Sequence, residues 1–238
     1  PFSLISNDVT NDKLVVMPGY WFMYNMYALG RNSGKYVDRD KRTEKVQHIE
    51  YDFLAPDTVN EMFEALALLK KFTAMAHHKK QGTTLTEANL EQNGEAILND
   101  AQYNWKDLQV FAYGFENNKR LTQLTKVKEA YQLFQRLIRY YGTIQLMHFI
   151  QVNNLHSLSD LQQKFGSHSK RSNWKNIGGQ LIPEGKFNQL IGGIHNNTIS
   201  SWGAVHGFYK ECGEAYQFDK LQHAFTSLLE IKGISSQE

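Results

Sequence analysis

The sequence predicts a mainly α protein: an irregular multi-helix bundle with a long central helix and a C-terminal helical hairpin, preceded by short β-type segments. Three observations predict it. From Pro18 onward apolar residues recur at three- and four-residue steps, and one such run, residues 121 to about 150, is long enough to organise the rest. The opening seventeen residues carry strand-length apolar runs instead. At 238 residues, 41% hydrophobic and 21% charged, the chain has globular composition and room for one large domain or two small ones.

Residues 2–5 and 14–17 are apolar runs flanking SNDVTND, whose Ser, Asn and Asp residues favour turns by bonding their own backbone. Two lone strands form no stable sheet. They need a partner inside this domain or, the favoured alternative, a sheet or β-helix preceding Pro1. On that reading residues 1–17 are the strand-like remnant of a preceding β-domain, in a chain cut from something longer. Residues 18–238 then form a single helical domain with a sub-boundary near 166–183. Tyr20, Trp21, Phe22, Met23, Tyr24, Met26, Tyr27 and Leu29 make a segment apolar on nearly every side, so the helix predicted there is buried and ends near Gly30.

Thr58, three residues before Glu61 and two after Pro56, has the spacing of a capping box. The helix it opens shows Val59, Met62, Phe63, Leu66 and Leu69 on one face and stops at KKQGTT. A weaker helix is expected over 86–98, followed by an irregular aromatic stretch around Gly114 containing Tyr103, Trp105, Phe111, Tyr113 and Phe115. The central helix carries Val127, Ala130, Tyr131, Phe134, Leu137, Ile138, Tyr141, Ile144 and His148. Gly142 within it costs of order 1 kcal/mol against Ala, a penalty accepted where another backbone packs close or the helix bends. A short helix with Leu158, Leu161 and Phe165 follows and ends at Gly166. SHSKRSNWKNIGGQLIPEG reads as a long loop, with Pro183 able to start a helix whose buried stripe is Phe187, Leu190, Ile191 and Ile194. Ser200 or Ser201 caps a helix with Trp202, Val205, Phe208, Tyr209 and Cys212; Asp219 caps another with Leu221, Ala224, Phe225, Leu228 and Leu229. These last two form the hairpin. No repeat of fixed length is present, which disfavours a solenoid.

A net charge of +2 lacks the field of a protein that lives on nucleic acid or anionic lipid. No stretch reaches the ~18 consecutive apolar residues needed to span a bilayer, and the N-terminus has no signal-peptide pattern. The single cysteine, Cys212, favours a reducing compartment and excludes a paired-cysteine site. A cytoplasmic location follows from both, with no nucleic acid and no membrane among the partners.

Residues 29–42, LGRNSGKYVDRDKR, imitate a phosphate loop. A Walker-type loop needs four residues between its first Gly and the Gly-Lys pair, then Ser or Thr. Here only Arg31, Asn32 and Ser33 separate the glycines, and Tyr36 follows Lys35. It is not a P-loop. The segment is nonetheless locally cationic, and two readings stand: a solvated connector with internal charge pairing, or an anion site with Arg31, Lys35, Arg39 and Arg42 as phosphate partners. Trp174 with the Gly178-Gly179 turn is the candidate ligand loop of the C-terminal half, against a plain turn with a Trp anchor. His148 reads as a core histidine, adjacent His77 and His78 face apart, and His195, His206 and His223 could converge. No catalytic residue, metal site or cofactor is indicated.

MPGYWFMYNMYALGRNSGKYVDRDKR with HIEYDFLAPDTVNEM, NWKNIGGQLIP and SSWGAVHGFY together resemble the C-terminal part of an uncharacterised bacterial family. The resemblance covers nearly the whole chain; Gly34 stands where the family carries a tryptophan. It implies a preceding left-handed β-helix of hexapeptide repeats, similar to those of sugar acyltransferases and nucleotidyltransferases. The function then expected is an accessory helical domain of a β-helix sugar- or nucleotide-sugar-related protein. It would contribute an anion-binding surface for a phosphorylated sugar or nucleotide. The alternative is a structural capping and oligomerisation module with no ligand, its partners the preceding β-helix domain and further copies of itself.

Overall fold

The computed structural model describes residues 1–83, 86–114, 120–155, 157, 160 and 171–233. They are mainly helical, with two small sheets. Contacts divide the chain into two compact units: Pro1–Asn32 with Glu61–Arg136, and Ser33–Asn60 with Leu137–Glu238. No helix among the described residues is long and apolar enough to cross a membrane.

In the first unit, β1 (Leu4–Asp8) and β2 (Lys13–Met17) form an antiparallel hairpin with Leu4 opposite Met17. The further partner such a pair needs lies within the chain. β2 runs parallel to β4 (Leu121–Leu124), and β4 is antiparallel to β3 (Val110–Ala112), giving the order β1-β2-β4-β3. Leu14, Val16, Val110, Thr122 and Leu124 alternate onto buried positions. Val16 and Leu124 share a cavity of about 230 Å3 with Leu69 and Phe72. Two expectations are corrected here. Part of the aromatic stretch expected to be irregular is β3, and residues 121–124 precede the central helix as a strand. Leu121, Leu124 and Val127 have helical spacing, but the N–H of Thr125 bonds to the Val16 carbonyl (2.9 Å), and Lys126, at φ 55°, turns the chain before the helix begins.

The aromatic segment after Pro18 is also corrected. It forms α1 (Tyr20–Tyr24) and α2 (Met26–Ser33), broken at Asn25, and Tyr24, Met26 and Tyr27 are 55%, 59% and 81% exposed. Large side chains on every face of so short a segment cannot all reach one core. α4 (Pro56–Gln81) begins two residues before the expected cap, after α3 (Lys35–Arg39) in the second unit. Thr58 lies inside its first turn, donating to the carbonyls of Phe53 and Ala55 and accepting the N–H of Ala55. Val59, Met62, Leu66 and Leu69 are buried as expected. α5 (Leu90–Asn99) presses Gly94 against the backbone of Lys70. α6 (Val127–Val152) passes through both units, burying Val127, Ala130, Tyr131, Phe134, Ile138 and Tyr141 but leaving Ile144 and His148 exposed.

In the second unit, residues 174–183 form an antiparallel hairpin instead of a loop: β5 (Trp174–Ile177) and β6 (Gln180–Pro183). Gly178 and Gly179, at φ 61° and 94°, supply the left-handed pair that such a two-residue turn requires. α7 (Glu184–His195) follows, with Pro183 at its N-cap position and no side-chain cap bond. The expected C-terminal hairpin is a single helix, α8 (Trp202–Lys232), capped by the Ser201 hydroxyl on the N–H of Ala204. Gly213 does not break it: a Cβ there would lie 3.3 Å from that of His48, so the glycine is where residues 40–55 cross the helix. Asp219 takes Lys186 as an ion-pair partner (2.5 Å) and caps nothing. The short helix expected around Leu158 to Phe165 lies outside the described residues.

Candidate functional site

The second unit holds the densest polar chemistry. Residues 40–55 have no regular structure, so side chains must hold them. Arg42 donates to the Gln47 carbonyl (3.1 Å), the Gln47 amide donates to the carbonyls of Ile177 and Gly178 (3.2 and 3.4 Å), and the N–H of Glu50 bonds to the Gly179 carbonyl (3.0 Å). The strap is thereby laid along the β5–β6 turn.

Its anchor is Glu50. Tyr216 and Lys220, one turn apart on α8, both reach this carboxylate: the Lys220 ammonium at 2.8 Å and the Tyr216 hydroxyl as a donor. The Lys220 and Glu50 side chains are only 7% and 9% exposed, with Asp52 3.8 Å from the same ammonium. Burial alone would raise the Glu50 pKa, but Lys220 and Tyr216 outweigh it and hold the group below the usual carboxylate range. Burial and the Glu50 charge push Tyr216 far up. A Tyr and a Lys at this spacing can form an acid–base couple when the ammonium lowers the phenol's pKa. Here Glu50 stands between them, neutralises the ammonium and holds the phenol proton. The cluster is a latch.

Deeper in the unit, His223 is 1% exposed. Its Nδ1 lies 3.2 Å from the Tyr141 hydroxyl and its Nε2 2.9 Å from Asn60 Oδ1. The Asn60 amide nitrogen donates to the Ser172 carbonyl (3.1 Å), which makes Oδ1 the acceptor. Nε2 therefore carries the ring proton and Nδ1 accepts from Tyr141. Arg171 also donates to Asn60 and pairs with Glu230 (3.0 Å). Burial, with the Arg171 charge adding, pushes His223 down to about 3.

Val46, Gln47, Ile177, Gly178, His206 and Tyr209 line an open cavity of about 350 Å3. Gln180, fully buried, fixes one wall by donating to the Tyr209 carbonyl (2.7 Å). Trp202, one turn before His206, is 77% exposed.

The residues singled out in the sequence are distributed as follows. Arg31 is exposed in the last turn of α2, in the first unit. Lys35 begins α3 and Arg39 ends it, exposed. The fork of Arg42 is taken up by Asp40 (2.9 Å to each oxygen), whose pKa that contact lowers strongly, so this arginine is a tie within the connector. Trp174 is buried with Ala55, Leu181 and Tyr216, its indole N–H on the Ser172 hydroxyl (2.9 Å); it is a core anchor. Gly178 does line the cavity, and Gly179 packs on Ile49. His206 and His223, seventeen residues apart on one helix, are separated by ~25 Å along its axis and do not converge. Burial pushes the Cys212 thiol up, which favours its protonated form. Among the described residues, no group of three or more His, Cys, Asp and Glu side chains is arranged to hold a metal ion. Glu50, Tyr216 and Lys220 went unrecognised; the signal was a lysine inside the apolar stripe of Leu221 and Ala224, four residues after a tyrosine.

Comparison with known proteins finds an uncharacterized protein of Treponema pallidum (strain Nichols), 33% identical over 234 residues, covering 97% of this chain and 31% of that protein. The chain thus spans about a third of the length of the curated relative it matches. No family model and no solved structure matches it.

Proposed function

We propose that this chain is a non-catalytic accessory module that docks, through the edge of its four-stranded sheet, onto the β-structured remainder of a longer protein. The observation that carries the reading is β1. It is an outer strand with four of its five residues exposed, and Leu4 and Ile5, on opposite faces, are 40% and 46% exposed. Edge strands that stand alone are blunted by Lys, Pro or a bulge. β1 carries no Lys or Pro, its one charge, Asp8, stands at the strand's end and pairs with Lys13 (3.7 Å), and its register with β2 runs without interruption. Such an edge accepts a further strand through its unpaired backbone groups. The exposed Tyr24, Met26 and Tyr27 add apolar surface to the same unit. The greater length of the Treponema relative supports further chain, and the sequence resemblance supplies its β-helix character and sugar-modifying setting. The phosphate reading of the basic segment draws less support, because the Arg42 fork is taken up by Asp40 and, among the described residues, neither Lys nor Arg lines the cavity.

The test is calorimetric titration of the chain into the separately produced remainder of the longer protein. Leu4→Lys combined with Ile5→Lys is expected to weaken association about tenfold or more by placing charge on the edge. The same pair should shift the chain's own unfolding temperature by no more than ~2 °C, as for exposed positions generally. No association at tens of micromolar, or association indifferent to both lysines, would refute the docking.

A further inference from the structure

We infer that the cavity at the Gly178 turn is a binding site for a flat, uncharged heteroaromatic ring of nucleobase type, stacked on one face of α8. Its volume, about 350 Å3, falls within the range of small-molecule sites. Three segments distant in sequence wall it: Val46 and Gln47 of the strap, Ile177 and Gly178 of the hairpin turn, and His206 and Tyr209 of α8. Each wall is held from behind. The Gln47 amide is tied to two turn carbonyls, the Glu50 N–H to Gly179, and the Tyr209 carbonyl to the buried Gln180. The site is therefore formed before any ligand arrives, so little ordering opposes binding.

The lining chemistry selects the ligand. Among the described residues no lysine, arginine or carboxylate borders the space, so the lining described favours neither a phosphate nor an ammonium. His206 and Tyr209, three residues apart on α8, border the space together and present two π-systems from one helical face. Such a face stacks planar rings irrespective of sequence or substituent. Gln47, whose amide nitrogen is taken by the turn, is the polar side chain of the strap bordering the space. The backbone at Gly178 has no side chain to keep a ligand off the turn.

Ligand-observed saturation-transfer NMR on the full chain tests this, with adenosine and uridine as probes beside their 5′-monophosphates. Base protons should receive more saturation than ribose protons, and nucleoside and monophosphate should bind within about threefold of each other, since no cation among the described residues borders the site. His206→Ala, at a lining position of α8, should weaken binding roughly tenfold, as loss of a stacking partner does. Val46→Glu, at a position 58% exposed, should obstruct the wall without disturbing the fold. Binding of the monophosphates alone would make this an anion site and overturn the inference. So would silence of all four probes at millimolar concentration, or binding unchanged in both variants.

Discussion

Lys220 sits where the buried stripe of α8 calls for an apolar residue, four positions before Ala224 and next to Leu221, and it is tolerated because Glu50 and Tyr216 meet it. A buried pair of this kind is worth little against apolar replacements of similar volume, but removing one partner strands the other charge. Lys220→Met is therefore expected to cost about 3–5 kcal/mol in urea unfolding, and Lys220→Met with Glu50→Gln to recover most of it. Equal losses in the single and double variants would mean that packing, not charge, holds the strap. His223 gives a pH signature. Its folded-state pKa, about 3, is depressed below the ordinary histidine value, so between the two the unfolded chain binds a proton the folded chain refuses. Stability is full above about pH 6.5 and falls with acidification toward pH 3, at no more than about 1.4 kcal/mol per pH unit. His48 and His77, also lowered by burial, act in the same direction. The decisive comparison is thus wild type against His223→Gln: the variant should show a shallower slope between pH 6.5 and 4.5. Glu50 acts only further down, its contribution being lost as pH falls through its own depressed pKa.

At the scale of elements, Gly142 is where α6 meets α8: a Cβ there would stand 2.8 Å from the Leu228 Cβ and 3.0 Å from the Ala224 carbonyl. Gly142→Ala should destabilise by roughly 1–3 kcal/mol despite its better helix propensity. Gly207→Ala, with nothing within 4 Å of its added Cβ, should stabilise by about 0.5–1 kcal/mol. Thermal unfolding of the two variants separates packing from propensity. The close approach at Gly142 was legible because a glycine inside a strong stripe costs too much to be idle. α4 and the first half of α6 were legible for the same reason, since Val59, Met62, Leu66, Tyr131, Phe134 and Ile138 all face a core. The stripe misled beyond Tyr141, where the same spacing at Ile144 faces solvent. It misled again in α8, where Asp219, read as the cap of a second helix, instead pairs with Lys186. The β5–β6 hairpin was written in its Gly-Gly turn, but Lys175 and Asn176 diluted the alternation that marks a strand.

Across the whole molecule, sequence order conceals what contacts assemble. The cavity draws on residues 46–47, 177–178 and 206–209, so no local motif could announce it. The partner of β2 lies more than a hundred residues away, in the short, threonine-containing β4. The basic segment, conspicuous as a string of letters, is divided by the structure: Arg31 belongs to one unit, Lys35, Arg39 and Arg42 to the other. What the sequence carried well was the unease of its opening strands, which lacked a partner; the structure supplies one on β2 and, among the described residues, leaves the outer edge of β1 open. That open edge is the centre of the functional account. The most direct test is amide hydrogen exchange of residues 4–8, compared between this chain alone and the same residues within the longer protein. If the edge receives a strand there, the outward-facing amides of β1 should exchange at least about tenfold more slowly in the longer protein while those of β4 change little. Equal exchange of β1 in both settings would contradict the account.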